Sequence, residues 1–120
     1  MTRSLVIKAT AGVDDPERAA QAFTVAAAAL ASGASVSLWL TGEATWFAVP
    51  GHAEAFELPH TAPLSALRDA IAERGRLTVC IQCAARRDLT EDDLVDGAHI
   101  AGAAAFVEEV LDPDAQALVY

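Results

Sequence analysis

The sequence predicts a three-layer α/β/α fold around a mainly parallel sheet of about five strands, and three observations carry that expectation. Short β-rich runs alternate with longer alanine- and leucine-rich runs at helical spacing, which is the pattern of βαβ units. Glycines stand where several of these runs end, at Gly33, Gly42 and Gly75. The length of 120 residues suits one domain with one core, expected to span residues 1–120.

In chain order, Ser4–Thr10 reads as a first strand, with Ala11–Pro16 as its turn. Asp15 is placed to cap a helix whose first residue is Pro16, where a missing N–H costs nothing and φ is already helical. That helix runs to Ser32, with Ala19, Phe23, Ala26, Ala27 and Leu30 on one face, and Gly33 ends it. Val25, Ala28 and Ala29 make its other side apolar too, so it is expected to pack on the sheet and on a neighbouring subunit. Val36–Thr41 is the second strand, and Glu43–Val49 a short helix broken by Pro50-Gly51. Residues 50–62 hold two prolines and two of the three histidines, and read as a long connection with a short strand at Phe56–Leu58. Pro63–Gly75 is a helix with Leu64, Leu67, Ala70 and Ile71 inward and Arg68, Asp69, Glu73 and Arg74 outward. The third clear strand is Leu77–Cys83, and Thr90-Glu91-Asp92-Asp93 has capping-box form at the start of a short helix. Ile100–Leu111 reads as the last helix, stopped by Asp112-Pro113, and Ala117–Tyr120 as the last strand.

Composition excludes several function classes. Hydrophobic residues are 53% and charged ones 21%, as in a compact domain, and the formal net charge is -9. A surface so acidic repels phosphate backbones, and Arg86-Arg87 is too small a basic patch to reverse that, so nucleic acid is not expected as a partner. No apolar run approaches the roughly 20 residues of a membrane span, and no signal-peptide pattern opens the chain, so a cytoplasmic location without membrane contact is expected. Two cysteines spaced as CxxC do not make a secreted disulfide framework. In a reducing compartment they point to thiol, redox or metal chemistry, or only to packing.

Ligands and chemistry in open parallel sheets collect outside the carboxyl ends of the strands. Three loops qualify, following the first, second and third strands. If the third strand reaches Cys83, alternation buries Cys80 and leaves Cys83 accessible at the tip. Arg86 and Arg87 follow three and four residues on, so a helical turn would bring a guanidinium to the sulfur and favour its thiolate. A thioredoxin-like redox pair needs its CxxC at a helix start, which a first cysteine inside a strand does not satisfy. Zinc would need His52, His60 or His99 to join the cysteines, and no metal or other cofactor is expected. The acidic clusters Asp14-Asp15 and Glu91-Asp92-Asp93 read as helix caps, and neither a nucleotide-binding glycine motif nor a serine nucleophile elbow is present.

Four stretches carry a resemblance to a known family: Asp14–Ala19, Leu38–Glu43, Val79–Arg87 and Asp93–Gly97. In these the chain resembles the DsrE/DsrF-like proteins of sulfur metabolism, which include the Tus sulfur-relay subunits. The resemblance implies the α/β/α fold and gives Cys83 the position of the family's strand-end cysteine. It further implies a persulfide on that cysteine, passed to the thiol of a relay partner, and assembly as a trimer or hexamer. The leading expectation is therefore a small sulfur carrier or thiol-transfer protein using Cys83, with Arg86 or Arg87 stabilising the thiolate. Gly12, Thr41, Gly42, Trp46, Cys80 and Gln82 would line the site. The alternative is a non-catalytic oligomeric module holding a small ligand or a partner segment at the strand ends.

Overall fold

A computed structural model describes residues 3–120. Five strands, β1 (Ser4–Ala9), β2 (Ser35–Leu40), β3 (Arg76–Cys80), β4 (Ala98–Ala101) and β5 (Ala115–Val119), form one sheet in the order β4-β3-β2-β1-β5. Every pairing is parallel. Helices α1 (Pro16–Ala31), α2 (Leu64–Arg74), α3 (Ile81–Arg86) and α4 (Ala103–Val110) alternate with the strands, and a 3-10 helix, Gly42–Ala48, follows β2.

The topology sets the layers. Steps from β1 to β4 all move one way across the sheet, so right-handed crossovers put α1 and α2 side by side on one face. The return from β4 to β5 crosses the whole sheet and carries α4 over the other face. Strand alternation divides the residues accordingly. Ile7, Ala9, Val36, Leu38, Leu40, Leu77 and Val79 join Ala19, Phe23 and Ala26 of α1 and Ile71 of α2 in the main core. Lys8, Ser37, Trp39, Thr78 and Cys80 take the opposite face, where Phe106 of α4 meets Trp39 edge to face at 5.3 Å. Glu109 of α4 there accepts hydrogen bonds from the Ser37 hydroxyl at 2.5 Å and from Trp39 Nε1 at 3.1 Å.

The start of α1 follows its sequence: Asp15 is the N-cap, accepting from the Arg18 amide at 3.4 Å, and Pro16 opens the helix. Four other expectations are corrected. The third strand stops at Cys80, and Ile81–Arg86 is helical. The run from Ile100 is not one helix, because Ala98–Ala101 pairs with Leu77–Cys80 and Gly102 separates that strand from α4. The unpaired edge of β3 outweighs the helix propensity of a short alanine-rich segment. Phe56–Leu58 forms no strand; Phe56 instead packs edge to face on Phe47 at 5.5 Å, and Phe47 on Phe23 at 5.6 Å.

The fourth correction concerns Arg68, which is 2% exposed and points inward. Its guanidinium makes two hydrogen bonds to Glu54, at 3.1 and 2.7 Å, and a third to the Phe47 carbonyl at 3.2 Å. A buried charge persists only when paired and hydrogen-bonded, and this one ties the 50–62 connection to α2. The Arg68 hydrogen bond is the largest cause holding the Glu54 carboxyl at about 2, below its ordinary 4.5. Because the folded-state value is lowered, the pair's contribution is complete above about pH 4.5 and is lost as the pH falls toward 2. Glu54→Gln should therefore flatten the acid limb of the stability curve over that window, measured by urea unfolding at a series of pH values. Parallel curves for variant and wild type would remove the pair from the account of acid stability.

Candidate functional site

The carboxyl ends of β3 and β4 are where the chain parts to opposite sides of the sheet. Leaving β3 it folds as α3, whose Ala84 joins the α1/α2 core; leaving β4 it crosses to α4. Such a switch point opens a crevice at the strand ends. Cys80, the last residue of β3, stands there opposite Ala101, the last of β4.

Cys80 is half-buried and is also the N-cap of α3, with extended φ and ψ of -61° and 128°. Its sulfur takes no capping hydrogen bond of ordinary geometry. Burial pushes the thiol pKa up, but the backbone amides of Cys83 and Gln82, the Cys83 side chain and the charge of Lys8 together outweigh it. The net direction is below the ordinary thiol value, so the thiolate is favoured. Lys8 reaches this region from β1 on the α4 face, its Nζ 5.4 Å from the centre of the Phe106 ring.

The two cysteines thus exchange the roles that alternation predicted. Cys83 lies in the first turn of α3, 8% exposed, and its Sγ accepts a hydrogen bond from the Gly42 amide at 3.2 Å. Alternation fails because the strand ends three residues early, and helical geometry turns Cys83 back toward the 3-10 helix after β2. Arg86 and Arg87 are corrected with it. Arg87 donates to the Cys83 carbonyl at 3.1 Å and to Glu43 at 2.8 Å, locking α3 to the 3-10 helix. Arg86 is exposed, and neither guanidinium hydrogen-bonds to a sulfur among the described residues.

The other expected residues divide between framework and rim. Gly42 has φ +54°, and a methyl group on it would stand 2.9 Å from the Thr10 carbonyl oxygen. On Gly12 a methyl would stand 2.5 Å from the Glu43 carbonyl oxygen, so both glycines permit two backbones to cross. The Thr41 hydroxyl donates to the Ala9 carbonyl at 3.0 Å and serves the turn. Gln82 is exposed on the first turn of α3 beside Cys80. Trp46 is drawn elsewhere, stacked on His52 at 5.2 Å in a shallow cleft with Val13, Glu43 and Phe47 that neither cysteine lines. Among the described residues no three His, Cys, Asp or Glu side chains gather as metal ligands.

Sequence reasoning missed Lys8. Its signal was available: it is the only lysine in the chain and interrupts an apolar strand.

Comparison with known proteins matches residues 3–116 to the model of the DsrE/DsrF-like family. The chain belongs to that family. Its DsrE-like architecture extends to solved structures at low identity. The ychN protein from E. coli is 18% identical, with a TM-score of 0.80 and complete coverage of both chains. MTH1491 from Methanobacterium thermoautotrophicum, described as a protein of unknown function, is 11% identical with a TM-score of 0.69, again over the whole of both chains. Comparison with curated proteins finds no match.

In this DsrE-like site Gly42 carries a specific expectation. Gly42→Ala combines a left-handed backbone with contact on the Thr10 carbonyl, and should cost about 1–3 kcal/mol in chemical unfolding. A variant as stable as wild type would show that the crossing relaxes without cost.

Proposed function

We propose that this chain is a small sulfur carrier of DsrE type in which Cys80, rather than Cys83, bears the sulfur. The observation that carries the reading is the half-buried Cys80 at a strand-end switch point, with its thiol shifted toward the thiolate by the amides of Cys83 and Gln82, then the Cys83 side chain, and least by Lys8. A thiolate is the form that attacks sulfur. Cys80 would take a sulfane sulfur from a donor persulfide, forming a Cys80 persulfide as the donor thiol leaves. A partner's thiolate would then attack the outer sulfur, accept it, and return Cys80 to the thiolate. No metal or organic cofactor enters either step. Two free cysteines suit a reducing compartment, and we place the protein in the cytoplasm.

We further propose that the chain works as a homo-oligomer, a trimer or hexamer, assembled through α4. None of the residues of α4 is buried, although Phe106, Val107 and Val110 are apolar, and Leu111 beyond its end is 74% exposed. The sequence points to a subunit contact on α1; the exposed apolar residues of α4 are the surface we propose instead. A non-catalytic oligomeric module would share the α4 contact and is separated from the carrier by its failure to load sulfur.

After incubation with cysteine persulfide, the reduced protein with its other cysteine replaced (Cys83→Ser) should gain sulfur mapped to Cys80, and adding Cys80→Ser should abolish that gain. Loading that survives Cys80→Ser would refute the assignment. Lys8→Met should move the pH profile of Cys80 alkylation upward, toward that of an ordinary thiol; an unmoved profile would exclude Lys8. Val107→Glu combined with Leu111→Glu should lower the mass seen by light scattering, and an unchanged mass would place the interface elsewhere.

A further inference from the structure

A paired-thiol role needs the CxxC at a helix start, and β3 ends early enough to supply one. Cys80 stands at the N-cap and Cys83 in the first turn of α3, so the CxxC spans the start of a helix. Residues three apart on a helical turn have Cβ atoms about 5–6 Å apart, and a disulfide needs about 3.5–4.5 Å. Cys80 is extended and lies outside the helix proper, so its Cβ is not held at the helical spacing, and an N-cap side chain folds over the first turn toward the third helical residue, here Cys83.

Two further observations single out this pair. Cys83 is held by the Gly42 amide at 3.2 Å, on a glycine whose own conformation is fixed by the crossing with Thr10. Its sulfur is thereby fixed at the strand ends, in the first turn of the helix that Cys80 caps. The Cys83 side chain is also among the groups that lower the pKa of the Cys80 thiol. A cysteine that merely filled space would need neither.

The geometry points to Cys83 as a resolving thiol for Cys80: in this chain the Cys80 persulfide is attacked from below by Cys83, closing a Cys80–Cys83 disulfide and expelling sulfide. This inference rests on Cys80 as the sulfur-bearing residue. The direction of attack decides the product. Cys83 is buried and approaches from the protein side, where it meets Cys80 Sγ, while the outer sulfur projects toward the crevice. Attack on the inner sulfur breaks the S–S bond of the persulfide and forms the protein disulfide. The outer sulfur leaves as hydrosulfide, and the proton from the Cys83 thiol goes to solvent or to the departing sulfide. Two thiol sulfurs are oxidised to a disulfide, and one sulfane sulfur is reduced to sulfide. A dithiol reductant of the thioredoxin class would reopen the disulfide by exchange. A partner thiol that arrives first takes the sulfur instead, so the outcome depends on whether an acceptor is docked.

The test loads reduced wild type, Cys83→Ser and Cys83→Ala with cysteine persulfide, a donor that leaves as cysteine and not as sulfide. Sulfide is followed above a donor-only blank, and the cysteines are mapped by mass. Wild type should release one sulfide per chain loaded and lose the mass of two hydrogens, located as a Cys80–Cys83 disulfide. Either variant should retain the added sulfur on Cys80 and release no sulfide above the blank. A stable Cys80 persulfide in wild type, or sulfur moved intact to Cys83, would overturn resolution while leaving the carrier reading in place. Failure of wild type and both variants to gain sulfur or form the disulfide would remove both. The wild-type arm decides the matter even if a Cys83 variant does not fold.

Discussion

At Cys80 the chain leaves a β-ladder and enters a helix with no loop residue between them. The rest of the site depends on that abrupt turn. It makes one residue both the end of a parallel strand and the cap of a helix, so strand-end exposure and favourable amides meet on a single sulfur. It also fixes where the next residues go. Cys83 and Ala84 turn back against the 3-10 helix, whose own start crosses the loop after β1 closely enough to demand glycine at positions 12 and 42. Arg87 then closes the arrangement by joining the Cys83 carbonyl to Glu43. The residue expected to act on the thiol in fact holds the scaffold that positions it.

The two faces of the sheet differ in how well they tolerate a thiol biased toward the thiolate, the direction found for Cys80. The α1/α2 face is apolar, lined by Leu38, Leu40, Leu77, Val79 and Phe23, and among the described residues its buried cation, Arg68, is paired with Glu54 and Asp69. The α4 face is thin and polar, covered by a single eight-residue helix. A lysine survives on it because its stem lies along apolar surface with the ammonium over Phe106. A thiolate would be expelled from the first face and is tolerated on the second. Strand parity assigns Cys80 to the second.

Much of this was legible in the sequence, and the parts that were not share one cause. The first two strands, the long α1 and the glycine stops follow from periodicity and local caps, which are properties of neighbouring residues. The family resemblance gave the architecture as well. What failed was decided by partners distant in the chain. Whether Ile81–Cys83 continues a strand depends on what lies beside it, and β4 offers pairing only as far as Cys80. Ile100 and Ala101 are strand because β3 has an open edge, and Arg68 turns inward because Glu54 waits fourteen residues earlier. The cysteine motif was found from spacing, but a one-element error in secondary structure exchanged the roles of its two sulfurs. The lysine was overlooked because strand alternation was applied to the cysteines and not to β1.

An exposed α4 and a thiol beneath the same layer place competing demands on that face, since the proposed assembly through α4 would cover the side on which Cys80 lies. The geometry separates them along the helix. An eight-residue helix is about 12 Å long, with its amino end following β4 at the Cys80 crevice and its carboxyl end leading to Leu111. A contact centred on Val107 and Leu111 would therefore bury the far end of α4 and leave the crevice at its rim. Ile81, 52% exposed on the first turn of α3, stands at the amino end of α4, its side chain near Gly102. In such an assembly the neighbouring subunit would narrow the approach to Cys80 without closing it. Access for a donor or acceptor thiol would then be set by the oligomer, while the choice between transfer and release would be set by Cys83 inside one chain.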